Sequence, residues 1–473
     1  MYQIKFGTDG WRAIIAKDYT FDNLERVTRG TARWLRQHYG PQASVILGHD
    51  TRFLGRLFSE HVACVFASEG LRVHLADTFV PTPAVTWGTK AYGHSAGIAI
   101  TASHNPPEYN GFKIKADFGG PASPEVIAAV EREIPPFDEH RPPLPVFADL
   151  VASGKVELFD LRGAYLAMIR EKIDIAAIQA SGLTIAHDAM YGAGQGLLSE
   201  LLGSEHVVEL RSIENPGMEG AAPEPIERNL EPLRHAIRAH RCDAGIANDG
   251  DADRVGMYDE RGQFVDSHRI LALLVKYLYK ERGLTGDVIK TFSTTDMLDR
   301  MCAAYGLRLH VTPIGFKYIG PLMVQHDVLV GGEESGGIAV KGHIPERDGL
   351  FIGLLILEMM VRRGKTLSAL VQELYDQFGP HGYYRVDVHL TAAQKQHVLD
   401  VLRHEGGLKH LDGQAVLSVD PLDGYKHRVE GGWLLIRPSG TEPVLRVYAE
   451  AATEVRARTL VEAAVQQLGV AHG

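Results

Sequence analysis

The chain has 473 residues, 45% hydrophobic and 23% charged, with 49 Lys and Arg set against 59 Asp and Glu for a net charge of -10. This is the composition of a folded globular protein and excludes a disordered or fibrous one, and at about 150 residues per domain it predicts roughly three domains with room for four small ones. An acidic balance without long basic runs argues against a nucleic-acid partner, because such binding draws mainly on Lys and Arg neutralising phosphates.

Cys64, Cys242 and Cys302 are few, odd in number and far apart, so neither a disulfide framework nor a CxxC zinc site is expected. The opening MYQIKFGTDGWR lacks an apolar leader core, and no run approaches about 18 uninterrupted apolar residues. The expectation is a cytoplasmic protein without a membrane partner. Glycine is in excess, 50 residues where about 7% would give roughly 33, and much of it falls in short clusters that look like site loops.

Apolar runs followed by helix-period segments recur along the chain, the pattern of βα units and a mostly parallel sheet. SVILGHD (44–50) and GIAITASHN (97–105) are the first strand candidates, each running into a polar loop. TASHNPPEYNGFK (101–113) then forms a rigid loop that presents Ser103 beside His104 and, ten residues on, the ammonium of Lys113. Adjacent Ser and His rarely reach the geometry of a hydrolase dyad, and caps and turns alone account for a bare SHN.

IPPFDEHRPPLPVF (134–147) holds five prolines and reads as a linker. LTIAHDAMYG (183–192) is the next strand and loop. It leads into YGAGQG (191–196), where Leu197 stands at the position a GxGxxG dinucleotide fingerprint needs for glycine. AGIANDGD (244–251) repeats the tetrapeptide AGIA of 96–99, a short hint of duplicated α/β domains.

NDGDADR (248–254) places Asp249, Asp251 and Asp253 in alternation. Three carboxylates so close repel one another unless a cation offsets them, and a hard divalent ion such as Mg²⁺ suits an all-oxygen set. An EF-hand would use Asp249, Asp251, Asp253 and Glu260, but its sixth position is Arg254 rather than Gly, and a strand rather than a helix precedes it. A solvated acidic turn is the plain alternative.

A boundary is expected near Met257 to Gly262, at YDERG. Beyond it GFK (315–317) presents Lys317 in a Gly-started loop, and DVLVGGEESGG (327–337) brackets Glu333 and Ser335 with glycines, a pair able to hydrogen-bond vicinal sugar hydroxyls. A helical stretch covers Leu350 to Phe378, and the last hundred residues read as a smaller α+β domain. There RPSGTEP (437–443), with Arg446 close behind, combines an Arg fork, two hydroxyls and an exposed backbone in a nest suited to phosphate.

With these loops in view, from FGTDGWR (6–12) to RPSGTEP, the whole chain resembles the α-D-phosphohexomutases, the phosphoglucomutases, phosphomannomutases and phosphoglucosamine mutases. The resemblance implies four domains around a central cleft: three related α/β domains with mixed sheets and a C-terminal α+β phosphate-binding domain. The expected spans are 1–145 with the phosphoserine loop, 146–257 with the metal loop, 258–378 with the sugar loop and 379–473 with the phosphate loop.

It further implies a phosphorylated Ser103 and one Mg²⁺ per chain held by Ser103, Asp249, Asp251 and Asp253. Arg12, His104, Lys113, Arg254 and Lys290 would line the catalytic centre, His104 and Lys113 moving the hydroxyl proton. Lys317, Glu333, Ser335, Arg437, Ser439, Gly440, Thr441 and Arg446 would hold the hexose phosphate.

TASHNP rather than SASHNP, GFK, and GEESGG rather than GEMSGH resemble the phosphoglucomutase branch. The expected reaction interconverts glucose 1-phosphate and glucose 6-phosphate through glucose 1,6-bisphosphate. Mannose phosphates, or both sugars, are the first alternative; a phosphoglucosamine mutase, a metal-dependent sugar phosphatase and a non-catalytic sugar-phosphate sensor follow. On this reading Arg12, Lys113, Lys290, Lys317, Arg437 and Arg446 make the site locally positive despite the net charge.

Overall fold

The computed structural model describes residues 2–7, 9–138, 140–404, 406–438 and 444–470. It divides into two compact units, Met1–Gly286 with Gly315–Ala369, and Asp287–Ile314 with Leu370–Gly473.

In the first unit, β1 (Trp11–Ile14), β2 (Ser44–His49), β3 (Arg72–Ala76), β4 (Ala96–Ile100), β5 (Tyr109–Ala116), β6 (Gly120–Pro121) and β7 (Val156–Phe159) share one sheet. Its order is β1-β5-β4-β2-β3-β7, with β6 on β5. The run from β4 to β7 is parallel, whereas β5 returns antiparallel beside β4 and carries β1 on its far side. β2 is buried along almost its whole length, which is why SVILGH reads as a continuous apolar run rather than an alternation. The helix Phe21–Tyr39 covers this sheet through Leu24, Val27, Thr28, Thr31, Ala32 and Leu35, spaced three and four apart, and Thr20 caps it by accepting from the Asn23 N–H. The first sheet thus continues past the proline-rich segment, which links the helices Pro124–Glu133 and Phe147–Ala152, and β7 then pairs with β3 at its open edge.

β8 (Ile185–Asp188), β9 (Val207–Leu210), β10 (Ala244–Asn248), β11 (Val255–Asp259) and β12 (Phe264–Val265) form a second sheet in the order β12-β11-β10-β8-β9. YDERG is the turn between β11 and β12, which pair antiparallel, so this sheet extends to Val265. The AGIA strands β4 and β10 occupy matching places, each with a parallel neighbour on one side and its own hairpin partner on the other. Their glycines also match: a Cβ on Gly97 would lie 2.1 Å from Thr89 Oγ1, and one on Gly245 2.6 Å from Ile237 Cδ1, atoms of the helices over each sheet.

β13 (Asp287–Thr291) and β14 (Leu309–Thr312) pair in parallel in the second unit, and β15 (Val328–Gly332) and β16 (Ile338–Val340) form a hairpin in the first. The stretch from Leu350 to Phe378 is two helices, Gly349–Arg363 and Leu367–Phe378, because Gly364 takes up a left-handed conformation at φ 59° and ends the first.

In the second unit, β17 (Gly382–His389), β20 (Ser418–Asp420), β21 (Tyr425–Val429), β22 (Gly432–Pro438) and β23 (Val444–Ala451) form an antiparallel sheet, beside a small hairpin of β18 (His410–Leu411) and β19 (Gln414–Ala415). The helix Glu454–Gln467 packs Ala457, Leu460, Val461 and Ala464 onto Leu434, Ile436, Leu445 and Val447, the expected α+β arrangement. Among the described residues no helix is long and apolar enough to cross a membrane.

Candidate active site

The loops after β4, β10 and β15 come together in the first unit, each leaving the carboxyl end of a buried strand. Ser103 has φ 53°, a left-handed conformation that costs a non-glycine residue about 1–2 kcal/mol. Two features compensate: the Ser103 N–H donates to Thr101 Oγ1 at 2.9 Å, and the Ser103 hydroxyl donates to Asp249 Oδ2 at 2.7 Å. His104 Nδ1 stands 3.4 Å from the same hydroxyl. Burial, then the positive charge of Arg254, Arg12, Lys113 and Arg347, holds this imidazole well below its ordinary pKa, so it is neutral at physiological pH.

Asp249, Asp251 and Asp253 are all buried, with oxygens within 4.8 Å of one another. Burial, followed by the charges of Asp253 and Asp251, pushes the Asp249 carboxyl well above its usual range. Asp251 Oδ1 and Asp253 Oδ1 have no hydrogen-bond partner. Hard, converging and partly unsatisfied oxygens match the needs of a magnesium ion, so the residues fit the expected metal.

Lys113 lies 2.7 Å from Asp9, 2.8 Å from Asp251 and 3.3 Å from Asp253. Burial alone would lower its pKa, but Asp251, Asp9 and Asp253 outweigh burial and leave it above the ordinary lysine value. It is therefore held as a cation in this arrangement, whereas the His104 imidazole is neutral. Arg12 donates to Asn105 Oδ1 at 2.6 Å, and the Arg254 N–H to Asp249 Oδ1 at 3.0 Å, with its guanidinium 3.8 Å from Glu224.

Glu333 is buried, 3.7 Å from Arg347, and burial raises its carboxyl to about 7. Ser335 is half-buried in the same turn, closed by Glu333 N–H on Gly337 O. Lys317 begins the helix Phe316–Gln325 with its ammonium over the Tyr318 ring, in the first unit.

The remaining expected residues belong to the second unit. Lys290 donates to Thr295 O at 2.9 Å and pairs with Asp296 and Asp299. Arg437 and Arg446 are directly opposite in the register of β22 and β23, Arg437 held by Asp423 at 2.9 Å and Arg446 3.8 Å from Asp387. Ser439, Gly440 and Thr441 lie outside the described residues.

Sequence reasoning missed Asp9, Lys115, Glu346 and Arg347. Arg347 reaches Asp9 at 2.6 Å and Asp253 at 2.7 Å, while Lys115 reaches Glu346 at 2.6 Å. The charged run Glu346-Arg347-Asp348, wholly buried, was the available signal. Within the first unit Arg12, Lys113, Lys115, Arg254 and Arg347 stand among the carboxylates of Asp9, the three loop aspartates, Glu333 and Glu346. YGAGQG proves to be a packing loop. A Cβ on Gly192 would lie 2.7 Å from Gly250 Cα, and one on Gly250 2.4 Å from Ser103 O, so these backbones touch in series.

Four domain families match in chain order: phosphoglucomutase/phosphomannomutase alpha/beta/alpha domain I over residues 3–140, domain II over 163–262, domain III over 266–378 and the C-terminal domain over 389–467. A phosphoglucomutase/phosphomannomutase of Thermococcus kodakarensis is 30% identical, covering 98% of both chains, and a phosphoglucosamine mutase of Carboxydothermus hydrogenoformans is 30% identical over 94% of this chain and 95% of its own. A structure from Thermus thermophilus, provisionally assigned as a phosphomannomutase, superposes with a TM-score of 0.87 at 33% identity over 99% of each chain. Since the matches span all four domains and the sites built by their loops, the chain belongs to the phosphoglucomutase/phosphomannomutase family of phosphohexomutases.

Proposed function

We propose that the protein interconverts glucose 1-phosphate and glucose 6-phosphate, with Ser103 as the phosphoryl carrier and glucose 1,6-bisphosphate as the intermediate. The observation that carries this reading is the Ser103 hydroxyl, held in a left-handed turn and aimed at the aspartate triad. A hydroxyl oxygen of the sugar monophosphate attacks the phosphorus of phosphoserine, the bond to Ser103 Oγ breaks, and His104 accepts the proton of the attacking hydroxyl. After the bisphosphate turns over, Ser103 Oγ attacks the other phosphate and the proton returns to the leaving sugar oxygen. Asp249, Asp251 and Asp253 would hold magnesium, which when bound offsets the charge on the transferring phosphoryl group.

The sugar binds in two opposite orientations in this scheme, so Glu333, Ser335 and Lys317 hold its hydroxyls while the phosphate that is not reacting sits elsewhere. Arg437 and Arg446, with Ser439, Gly440 and Thr441, are assigned that phosphate. Arg437 and Arg446, directly opposite one another on adjacent strands, would offer a phosphate the forked donors that suit it. Arg12 and Arg254 are assigned to the catalytic centre, and Lys290 is assigned to it on the family resemblance alone.

Glucose is chosen on TASHNP, GFK and GEESGG. The test is kcat/KM for glucose, mannose and glucosamine phosphates with magnesium and the matching bisphosphate. A mannose or glucosamine preference would replace the substrate but keep the reaction, whereas phosphate release faster than isomerisation would make the protein a phosphatase.

Glu333 gives the reaction a pH signature. With its carboxyl at about 7, the ionised fraction falls from about nine-tenths at pH 8 to about one-tenth at pH 6. Only the ionised form accepts two sugar hydroxyls, so KM is expected to rise several-fold as pH falls through 7. Glu333→Gln is expected to have a high KM that no longer changes over this range beyond the titration of the substrate itself.

A further inference from the structure

Beyond the family's loops, one buried ion pair is built around the Ser103 backbone. Asp50 and Arg52 follow β2, and both side chains are fully buried, with Arg52 Nε 3.3 Å from Asp50 Oδ2. The Arg52 guanidinium donates to four main-chain carbonyls of the serine loop. Nη1 reaches Pro106 O at 2.8 Å and Tyr109 O at 3.0 Å, and Nη2 reaches Ser103 O at 2.7 Å and Asn105 O at 2.5 Å.

Asp50 completes the brace from the other side. Its Oδ2 accepts the Thr101 hydroxyl at 2.5 Å, and Thr101 Oγ1 in turn accepts the Ser103 N–H at 2.9 Å. The two peptide groups that flank the Ser103 side chain are thereby fixed, one through Thr101 and one through Arg52. Carbonyls in a loop that contains Pro106 and Pro107 cannot all be met by the loop itself, because proline offers no N–H. A planar fork with several donors meets four of them at once; the ammonium of lysine offers three donors from a single point.

We propose that Arg52, balanced by Asp50, is the positioning residue for Ser103: it touches neither sugar nor phosphate but holds the serine in its left-handed conformation, with the hydroxyl aimed into the site. The inference rests on Ser103 as the phosphoryl carrier. Displacement of a reacting atom by about 1 Å costs on the order of 100-fold in rate, so the effect belongs in kcat rather than in sugar binding.

The experiment compares Arg52→Lys, Thr101→Val and Ser103→Ala with the parent as full-length proteins. It measures kcat, KM for glucose 1-phosphate, Tm, and the single-turnover rate at which glucose 1,6-bisphosphate phosphorylates the dephosphorylated enzyme, followed by intact mass. Arg52→Lys keeps a charge beside Asp50 and is expected to lower kcat and the phosphorylation rate together by about 100-fold, with KM within about twofold. Thr101→Val, which keeps the side-chain volume, is expected to lower both by about tenfold, and it decides the matter should Arg52→Lys not fold.

A role in stability alone would lower Tm and leave the transfer rate per folded molecule unchanged, and that result in a folded Arg52→Lys, or in Thr101→Val, overturns the proposal. Ser103→Ala separates the two readings. Full turnover in Ser103→Ala removes the carrier itself, whereas loss of turnover there with normal transfer in Arg52→Lys removes only the role of Arg52.

Discussion

Ser103→Ala is expected to lower kcat by about 10⁵-fold, the scale seen when a covalent nucleophile is removed from an enzyme that depends on it. The protein should remain folded, since the hydroxyl contacts only Asp249 and His104 among the described residues. An unmet buried carboxylate oxygen costs about 1–3 kcal/mol, a fraction of the stability of a large α/β protein. Intact mass gives the second readout: the parent is expected to carry a species about 80 Da heavier, mapping to Ser103, and the variant to lack it. Normal mutase activity in Ser103→Ala would end the phosphoserine scheme whatever the mass spectrum showed.

Chelation is expected to have the next largest effect. Removing divalent ions with EDTA should lower activity by about 10³-fold or more, restored by magnesium, because positioning and charge compensation carry most of phosphoryl transfer. A readout independent of turnover comes from the repulsion within the triad. Adding magnesium to metal-free protein should raise Tm, as any ligand that binds only the native state does.

Asp249→Asn removes the triad carboxyl whose ionisation burial and the two neighbouring aspartates oppose, while keeping an oxygen for the Arg254 N–H. The metal-free variant is expected to melt above the metal-free parent, to lose most of the magnesium-dependent rise, and to be poorly active. A parent whose Tm ignores magnesium would show that the triad does not hold it.

The architecture was legible where chemistry is local. All five apolar runs singled out in the sequence are strands, and each ends in the loop expected of it, because a buried parallel strand and a Gly-rich polar loop both leave contiguous signatures. Ser103, His104, Lys113 and the three aspartates were legible for the same reason.

Some turn signals serve two purposes. YDERG is the turn of the β11–β12 hairpin as well as the expected edge of a domain, and YGAGQG, without the glycine of a dinucleotide fingerprint, is a place where backbones touch. What stayed hidden was long-range: Arg347 and Asp9 are 338 residues apart in sequence, and no periodicity brings them together. The Arg52 fork serves carbonyls, which leave no trace in side-chain patterns.

The contact of Gly250 with the Ser103 carbonyl and of Gly192 with Gly250 bears on redesign. Loops that abut through bare backbone cannot be exchanged one at a time, since each forms part of the mould in which the next is cast. The loop of Glu333 and Ser335 and the start of the helix at Lys317 are not part of that series and can be exchanged without it. The serine and aspartate loops, with the segment at Gly192, are better transplanted as a single block or left as they are.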